Sequence, residues 1–350
     1  EIRNCDWSSD VCSSDLPGWI GAELVWDAET RFTIVELRPR IVRGIRVGAG
    51  AAGDDEFFQR LLELADSTSV NALVFDTKQE GGKVLYETQV ADARQSDAVD
   101  PWYDPRTRLD QARTAGLYTI TRIVVFDDAH RIRLKPEEKL AGGWLDPRSR
   151  SAWDYNIDLA VEACELGFDE IQFDYVRFPS DGPIRDVRFD ELVYDDYYGS
   201  AAQELRVRTI AAFLAEAHRR LNPQGCAVAA DIFAITLEST SDEGIGQLPG
   251  PLSSSVDVLS PMIYSYAYGP GWKGCEDPND CAPEIVGYAL DAGIEKLESA
   301  EGFGIYRPWI QRAFLESDEI LEVQDVAEGF GLGWMLWKLV GTEYLRGLPL

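Results

Sequence analysis

The sequence predicts an α/β protein, a (β/α)8 TIM barrel, from three observations. Short β-branched runs alternate with amphipathic helical runs from residue 43 to residue 337. Eight such strands can be counted, with a clear helix between every consecutive pair except the fifth and sixth. The long connections all follow strands, at 77–105, 127–151, 179–199, 234–255 and 265–283. In a barrel these connections gather at the C-terminal rim, where the active sites of this fold lie.

Residues 1–16 have neither helical nor strand period and no signal-peptide apolar run. They resemble a translated sequencing-adapter fragment, so they are set aside, Cys5 and Cys12 carry no role, and the true N-terminus is expected upstream. Residues 17–42 read as an N-terminal extension, either a strand closing the barrel floor or the remnant of an upstream domain, and residues 43–350 as the barrel. Gly44–Val47 is the first strand, and the following helix from Asp54 places Phe57, Phe58, Leu61, Leu62 and Ala65 at helical spacing. Asn71–Asp76 is the second strand, and a short helix before Gly116 leads to the third, Leu117–Phe126. A helix over Ala152–Leu166 carries Trp153, Ile157, Ala160, Val161 and Cys164 on one face and precedes the fourth strand, Phe168–Phe178. The rest reads as helix Ala201–Leu221, strands Ala227–Phe233 and Val256–Tyr264, helix Glu284–Leu297, strand Ile305–Ile310, helix Ser317–Ala327 and strand Gly331–Trp337.

Composition removes several function classes. The 350 residues include 61 acidic and 33 basic side chains, for a net charge of −28. Such a surface repels phosphate backbones and anionic lipid, so nucleic acid is a poor partner. No apolar run reaches the roughly 18 residues of a membrane span. With His130 and His218 as the only histidines, a histidine-rich metal site cannot be built, and His218 is expected on a helix surface. Neither a metal nor a cofactor is called for, and carboxylates are left to do acid–base work. Cys164 and Cys226 read as small buried hydrophobes, whereas Cys275 and Cys281 bracket a polar loop where a local bridge fits an oxidising compartment. An extracellular or cell-envelope location is favoured; the oligomeric state is not legible.

One string points elsewhere. Gly48-Ala-Gly-Ala-Ala-Gly53 follows a strand and opens a helix, and Asp76 ends the next strand, as in a dinucleotide-binding fold of an NAD oxidoreductase. Asp54, Asp55 and Glu56 would oppose a pyrophosphate at that helix N-terminus, and no second nucleotide-binding half follows.

The chemistry concentrates at strand ends. Asp174 sits among apolar and aromatic residues at the end of the fourth strand, where Arg177 can pair with it, and Asp231 interrupts the apolar fifth strand. Neighbouring barrel strands bring two such carboxylates within the roughly 5–10 Å that separates the acid and the base or nucleophile of glycosidases. The bland alternatives are an ion pair closing the strand end for Asp174 and a turn cap for Asp231, with Glu238 as the competing acid if Asp231 points inward. Asp76, Asp127 and Asp128 add carboxylates to the same rim, which Lys78 and Arg122 can tune. Aromatic residues crowd the rim too: Trp144 and Trp153 around the third connection, Tyr264, Tyr266, Tyr268 and Trp272 after the sixth strand, then Trp309, Trp334 and Trp337. Flat rings stack on sugars and Gln311 can bind hydroxyls, so Tyr264, Trp309, Gln311, Trp334 and Trp337 are the candidate substrate contacts.

Tyr155-Asn-Ile-Asp-Leu-Ala160 and the run Gly167-Phe-Asp-Glu-Ile-Gln-Phe-Asp-Tyr-Val-Arg-Phe-Pro-Ser-Asp-Gly182 resemble the signature of the DUF4015 glycosyl hydrolase domain family. Supporting matches are Arg122–Asp128, Ser260–Tyr264, Arg307–Gln311 and Gly333–Trp337, so the resemblance spans about residues 43–337. It implies a TIM barrel acting on carbohydrate. The family usually carries a lysine where this chain has Asp127, and Ser-His-Tyr where it reads Ser265-Tyr-Ala-Tyr268. The resulting expectation is hydrolysis of a neutral or amino-sugar polysaccharide, with Asp174 as base or nucleophile and Asp231 as general acid; a non-catalytic carbohydrate-binding barrel is the alternative.

Overall fold

The computed structural model describes residues 19–25, 33–39, 41–180, 187, 197, 199–300 and 302–337. The reading of residues 1–16 and most of the connection 179–199 lie outside the described residues. Eight parallel strands follow one another around a closed sheet: β1 Arg43–Val47, β2 Ala72–Lys78, β3 Tyr118–Val124, β4 Glu170–Asp174, β5 Ala227–Phe233, β6 Val258–Ile263, β7 Trp309–Gln311 and β8 Trp334–Trp337. Met335 opposite Gly44 closes β8 onto β1, so the expected barrel is the fold. A two-residue strand, Ile305–Tyr306, pairs with β6 just ahead of β7. The interruption is Arg307-Pro308, where the proline has no N–H for the ladder. Residues 19–25 and 33–39 form an antiparallel ribbon that pairs with no described barrel strand.

The outer layer is α1 Asp55–Asp66, α2 Pro105–Thr114, α3 Arg150–Leu166, α4 Ser200–Leu221, the short α5 Pro249–Ser253, α6 Ala282–Glu298 and α7 Ser317–Gly329. Caps fix several starts: the Asp54 side chain accepts from Phe57 N, Asp104 from Arg106 N and Thr107 N, and Ser149 from Ala152 N. Strand side chains alternate between two clusters. Outward residues such as Leu73, Phe75, Ile171, Phe173, Val228 and Ile232 pack with the helices. Val74, Ile120, Tyr264, Trp309 and Met335 fill the lumen. No described helix is long and apolar enough to cross a membrane.

Two expectations, on the fourth strand and on Cys164 and Cys226, are corrected, and the rival dinucleotide reading is excluded. The fourth strand stops at Asp174, because Tyr175 turns the chain with a left-handed φ of 51°. The glycine string at 48–53 forms a five-residue helix with no left-handed residue. A side chain at Gly53 would lie 2.6 Å from the Trp102 carbonyl oxygen, so that glycine serves close packing, and the closed sheet offers no doubly wound crevice for a dinucleotide. Cys164 and Cys226 are not lone hydrophobes but a disulfide joining the end of α3 to the residue before β5; Cys275 and Cys281, left open by the sequence, are bridged too. Replacing both Cys164 and Cys226 by alanine is expected to lower the unfolding free energy by about 2–4 kcal/mol in urea titrations. An unchanged urea midpoint would show that the link carries no stability.

Candidate active site

The lumen of this barrel is charged toward its C-terminal end. On β4 the inward positions are Glu170, Gln172 and Asp174, two residues apart as a strand requires. Asp174 is 3 % exposed, and its Oδ2 receives Arg122 of β3, with Nη2 at 2.6 Å and Nε at 2.8 Å. The same guanidinium reaches Asp76 Oδ1 of β2 at 3.3 Å and Glu80 Oε1 at 2.5 Å. Arg46 of β1 adds a second cation on Asp76, with Nη2 2.5 Å from Oδ2. Burial alone would drive Arg122 toward neutrality, but the charges of Asp174, Asp76 and Glu80 more than offset it and raise its pKa. Glu80 shows the converse: burial pushes its carboxyl up, and Arg122 brings it below the usual range.

Asp231 of β5 faces the same lumen with a different environment. It is 1 % exposed and touches no cation. Its Oδ1 accepts from Gln172 Nε2 at 2.6 Å and from the Trp309 indole N–H at 2.7 Å, whereas Oδ2 has no partner. Burial first, and then the charge of Asp174, push its pKa well above the usual carboxylate range, Arg122 opposing. Tyr264 completes the group, its phenol pushed up by burial and then by Asp231 and Asp174. Trp337 lies edge-on to Trp309 at 5.4 Å, with Arg46 and Arg122 over its face at 4.1 and 5.0 Å.

The structure thus brings Asp174, Asp231, Asp76, Arg122, Tyr264, Trp309 and Trp337 together. It moves other candidates away. Arg177 does not hold Asp174: its guanidinium lies against Trp144, Tyr175 and Phe233 and donates to Ser180 Oγ at 3.0 Å. The left-handed turn at Tyr175 re-aims the chain after Asp174, and Arg122 takes the pairing role. Lys78 and Asp128 form their own buried pair at 2.8 Å, with Lys78 also donating to Asn156 of α3 and to two β3 carbonyls. A bulge between Asp76 and Lys78 flips the alternation, so Lys78 leaves the face that Asp76 occupies. Trp334 points outward, its indole donating to Glu328 of α7. Gln311 is 2 % exposed and engaged with protein partners: Tyr266 N, Asn279 Oδ1 and the Ala313 carbonyl. Glu238 accepts from the Tyr268 hydroxyl, and His218 is half-buried beside Asp257 rather than on the surface.

Arg46, Glu80, Gln172 and the Glu170–Arg307 ion pair in the lumen were not anticipated. For Gln172 and Glu170 the signal was available: they precede Asp174 by two and four residues, on its face. Among the described residues, no group of three or more His, Cys, Asp and Glu side chains is placed to hold a metal ion.

A parallel barrel with a carboxylate-lined mouth is one common scaffold of polysaccharide-cleaving enzymes. The chain belongs to the putative glycosyl hydrolase domain family, DUF4015, whose model matches residues 44–338. It is similar to a hypothetical protein from Ruminiclostridium thermocellum ATCC 27405 at 32% identity, over 53% of this chain and 96% of that one, with a TM-score of 0.46. The PgaB (BpsB) glycoside hydrolase domain from Bordetella bronchiseptica shares the fold at 12% identity, covering 85% of this chain and 94% of that one, with a TM-score of 0.60. The spore cortex-lytic enzyme SleL from Bacillus cereus does so at 11% identity, covering 87% and 73%, with a TM-score of 0.52. No curated protein is similar enough to count as a match.

Two outcomes follow for stability. Arg122→Met leaves buried carboxylates without their cation and is expected to cost about 3–5 kcal/mol in urea unfolding. Asp231→Asn has the opposite sign at neutral pH. The folded carboxyl binds its proton more tightly than the unfolded one, so its contribution is fully present below about pH 4 and is lost as pH rises toward the raised value. The asparagine variant should therefore gain stability over wild type at pH 7 and not at pH 3.5; equal differences at both pH values would contradict the raised pKa.

Proposed function

We propose that this barrel hydrolyses a neutral or amino-sugar polysaccharide through Asp174 and Asp231. The observation that carries the reading is the split environment of the two carboxylates. One is ion-paired to Arg122; the other is buried among neutral donors, raised by burial and by its neighbour's charge. A glycosidase needs one ionised and one protonated carboxyl across the scissile bond. Asp231 would give its proton to the leaving glycosidic oxygen as the bond to the anomeric carbon breaks. Asp174 would either attack that carbon or take a proton from the water that does. The net charge of −28 disfavours polyuronates and sulfated glycans as substrates. Two disulfides fit an oxidising compartment, which supports action outside the cell or in its envelope.

The test is reducing-sugar release from a panel of neutral and amino-sugar polysaccharides. Wild type should release product, and Asp174→Asn and Asp231→Asn should each lose about 10²–10⁴-fold in rate while still binding. Binding without release across the panel would move the reading to a carbohydrate-binding barrel.

A further inference from the structure

The connections after β6 and β7 display two large apolar rings that the packing of the barrel does not require. Phe314 is 73 % exposed and held at a left-handed φ of 68°, a conformation bulky residues rarely adopt. Tyr266 is 42 % exposed and meets Phe314 edge to face, with ring centroids 6.0 Å apart at 71°. Behind them Tyr266 stacks on Tyr264 at 5.4 Å and 15°, Tyr264 packs with Trp309 and with Trp337 at 6.3 Å in the lumen, and the Trp309 indole donates to Asp231. A continuous line of aromatic rings thus joins the exposed corner to the indole that bonds Asp231.

The corner is also built. Gln311, fully engaged below it, accepts from the Tyr266 N–H at 3.1 Å and donates to the Ala313 carbonyl at 2.9 Å. One buried amide thus clamps the backbone under both rings. Its remaining contact is Asn279 Oδ1 at 2.9 Å, which also accepts from Ser265 Oγ at 3.0 Å. Asn279 lies inside the loop closed by the Cys275–Cys281 bridge.

We infer that Tyr266 and Phe314 form a preorganised sugar-binding corner flanking the cleavage point, with Gln311 as its positioning residue. Two rings near a right angle offer one face for the C–H surface of a pyranose and an edge for its rim, without a charged partner, which suits a neutral or N-acetylated sugar. The inference rests on the glycan reading above and adds to it a subsite and the residue that holds it.

Cleavage and binding of maltohexaose, cellohexaose and chitohexaose test it. Phe314→Ala and Tyr266→Ala should each raise KM, or Kd where binding is read alone, by about tenfold with kcat within about twofold. Gln311→Leu should reproduce that KM effect, and adding Phe314→Ala to it should bring little further loss, as expected if both act through one corner. Wild type that engages one of these sugars while Phe314→Ala leaves KM and Kd unmoved overturns the corner and leaves the hydrolase reading standing. Wild type that engages none of them overturns both. A wild-type dimer that Phe314→Ala dissolves, with sugar binding unmoved, assigns the rings to self-association instead and also overturns it.

Discussion

Arg122 is the side chain on which the interior of this barrel depends. A TIM-barrel lumen is ordinarily filled with branched apolar layers. Here Asp76 and Asp174 lie within it, nearly out of contact with water, and Glu80 reaches in from the turn after β2. Isolated buried carboxylates would neutralise or unfold the site. A guanidinium solves this because it stays charged at any working pH and presents several donors in a fixed plane. Its branches face β2, β4 and the turn at once, so one cation ties three chain segments together. The ring of Trp337 against Arg46 and Arg122 closes the cluster with an apolar surface that excludes competing water.

That arrangement also gives the two carboxylates of the proposed site different surroundings. Asp174 and Asp231 project from adjacent strands into one low-dielectric space, where the charge of Asp174 adds to burial in raising the Asp231 carboxyl. Arg122 is bonded to one and not to the other, whose only donors are a neutral amide and an indole. Burial first, and then the charge of Asp174, raise the Asp231 carboxyl well above the usual range, and Arg122 is too remote from it to cancel them.

The β-branched runs and helical periods were enough to place all eight strands, since a parallel barrel demands the same alternation throughout. The site was legible where strand alternation holds and illegible where it breaks. Asp174 and Asp231 sit in regular strand and face the lumen. Lys78 was misplaced because a single bulged residue shifts the register beside Asp76, and sequence carries no signature for that bulge. Arg177 was misassigned because proximity in sequence favoured it, while the true partner lies 52 residues earlier on the neighbouring strand. Trp334 and Trp337 differ by three positions in one short strand, so one faces helix and the other lumen; ring chemistry alone could not tell them apart. Cys164 and Cys226 are 62 residues apart, and only the return of the chain through α4 makes them neighbours.

Charge accounting inside the fold bears on what can approach it. Among the described residues, five cationic side chains are at most 3 % exposed: Lys78, Arg122, Arg131, Arg206 and Arg307. Each has carboxylates of its own: Asp128 for Lys78, Asp76 and Asp174 for Arg122, Glu138 and Asp92 for Arg131, Asp242 for Arg206, and Glu170 for Arg307. Among the described residues the buried charges thus nearly cancel, and the acidic excess lies on side chains nearer the solvent. Long-range repulsion therefore acts on approaching anions rather than on the packing of the core, and it weakens beyond about 10 Å at 0.1 M salt. A neutral polymer meets no such barrier. The acidic surface and the ion-paired lumen share one cause: several of the few cations are placed inside, beside buried carboxylates, and are lost to the surface balance.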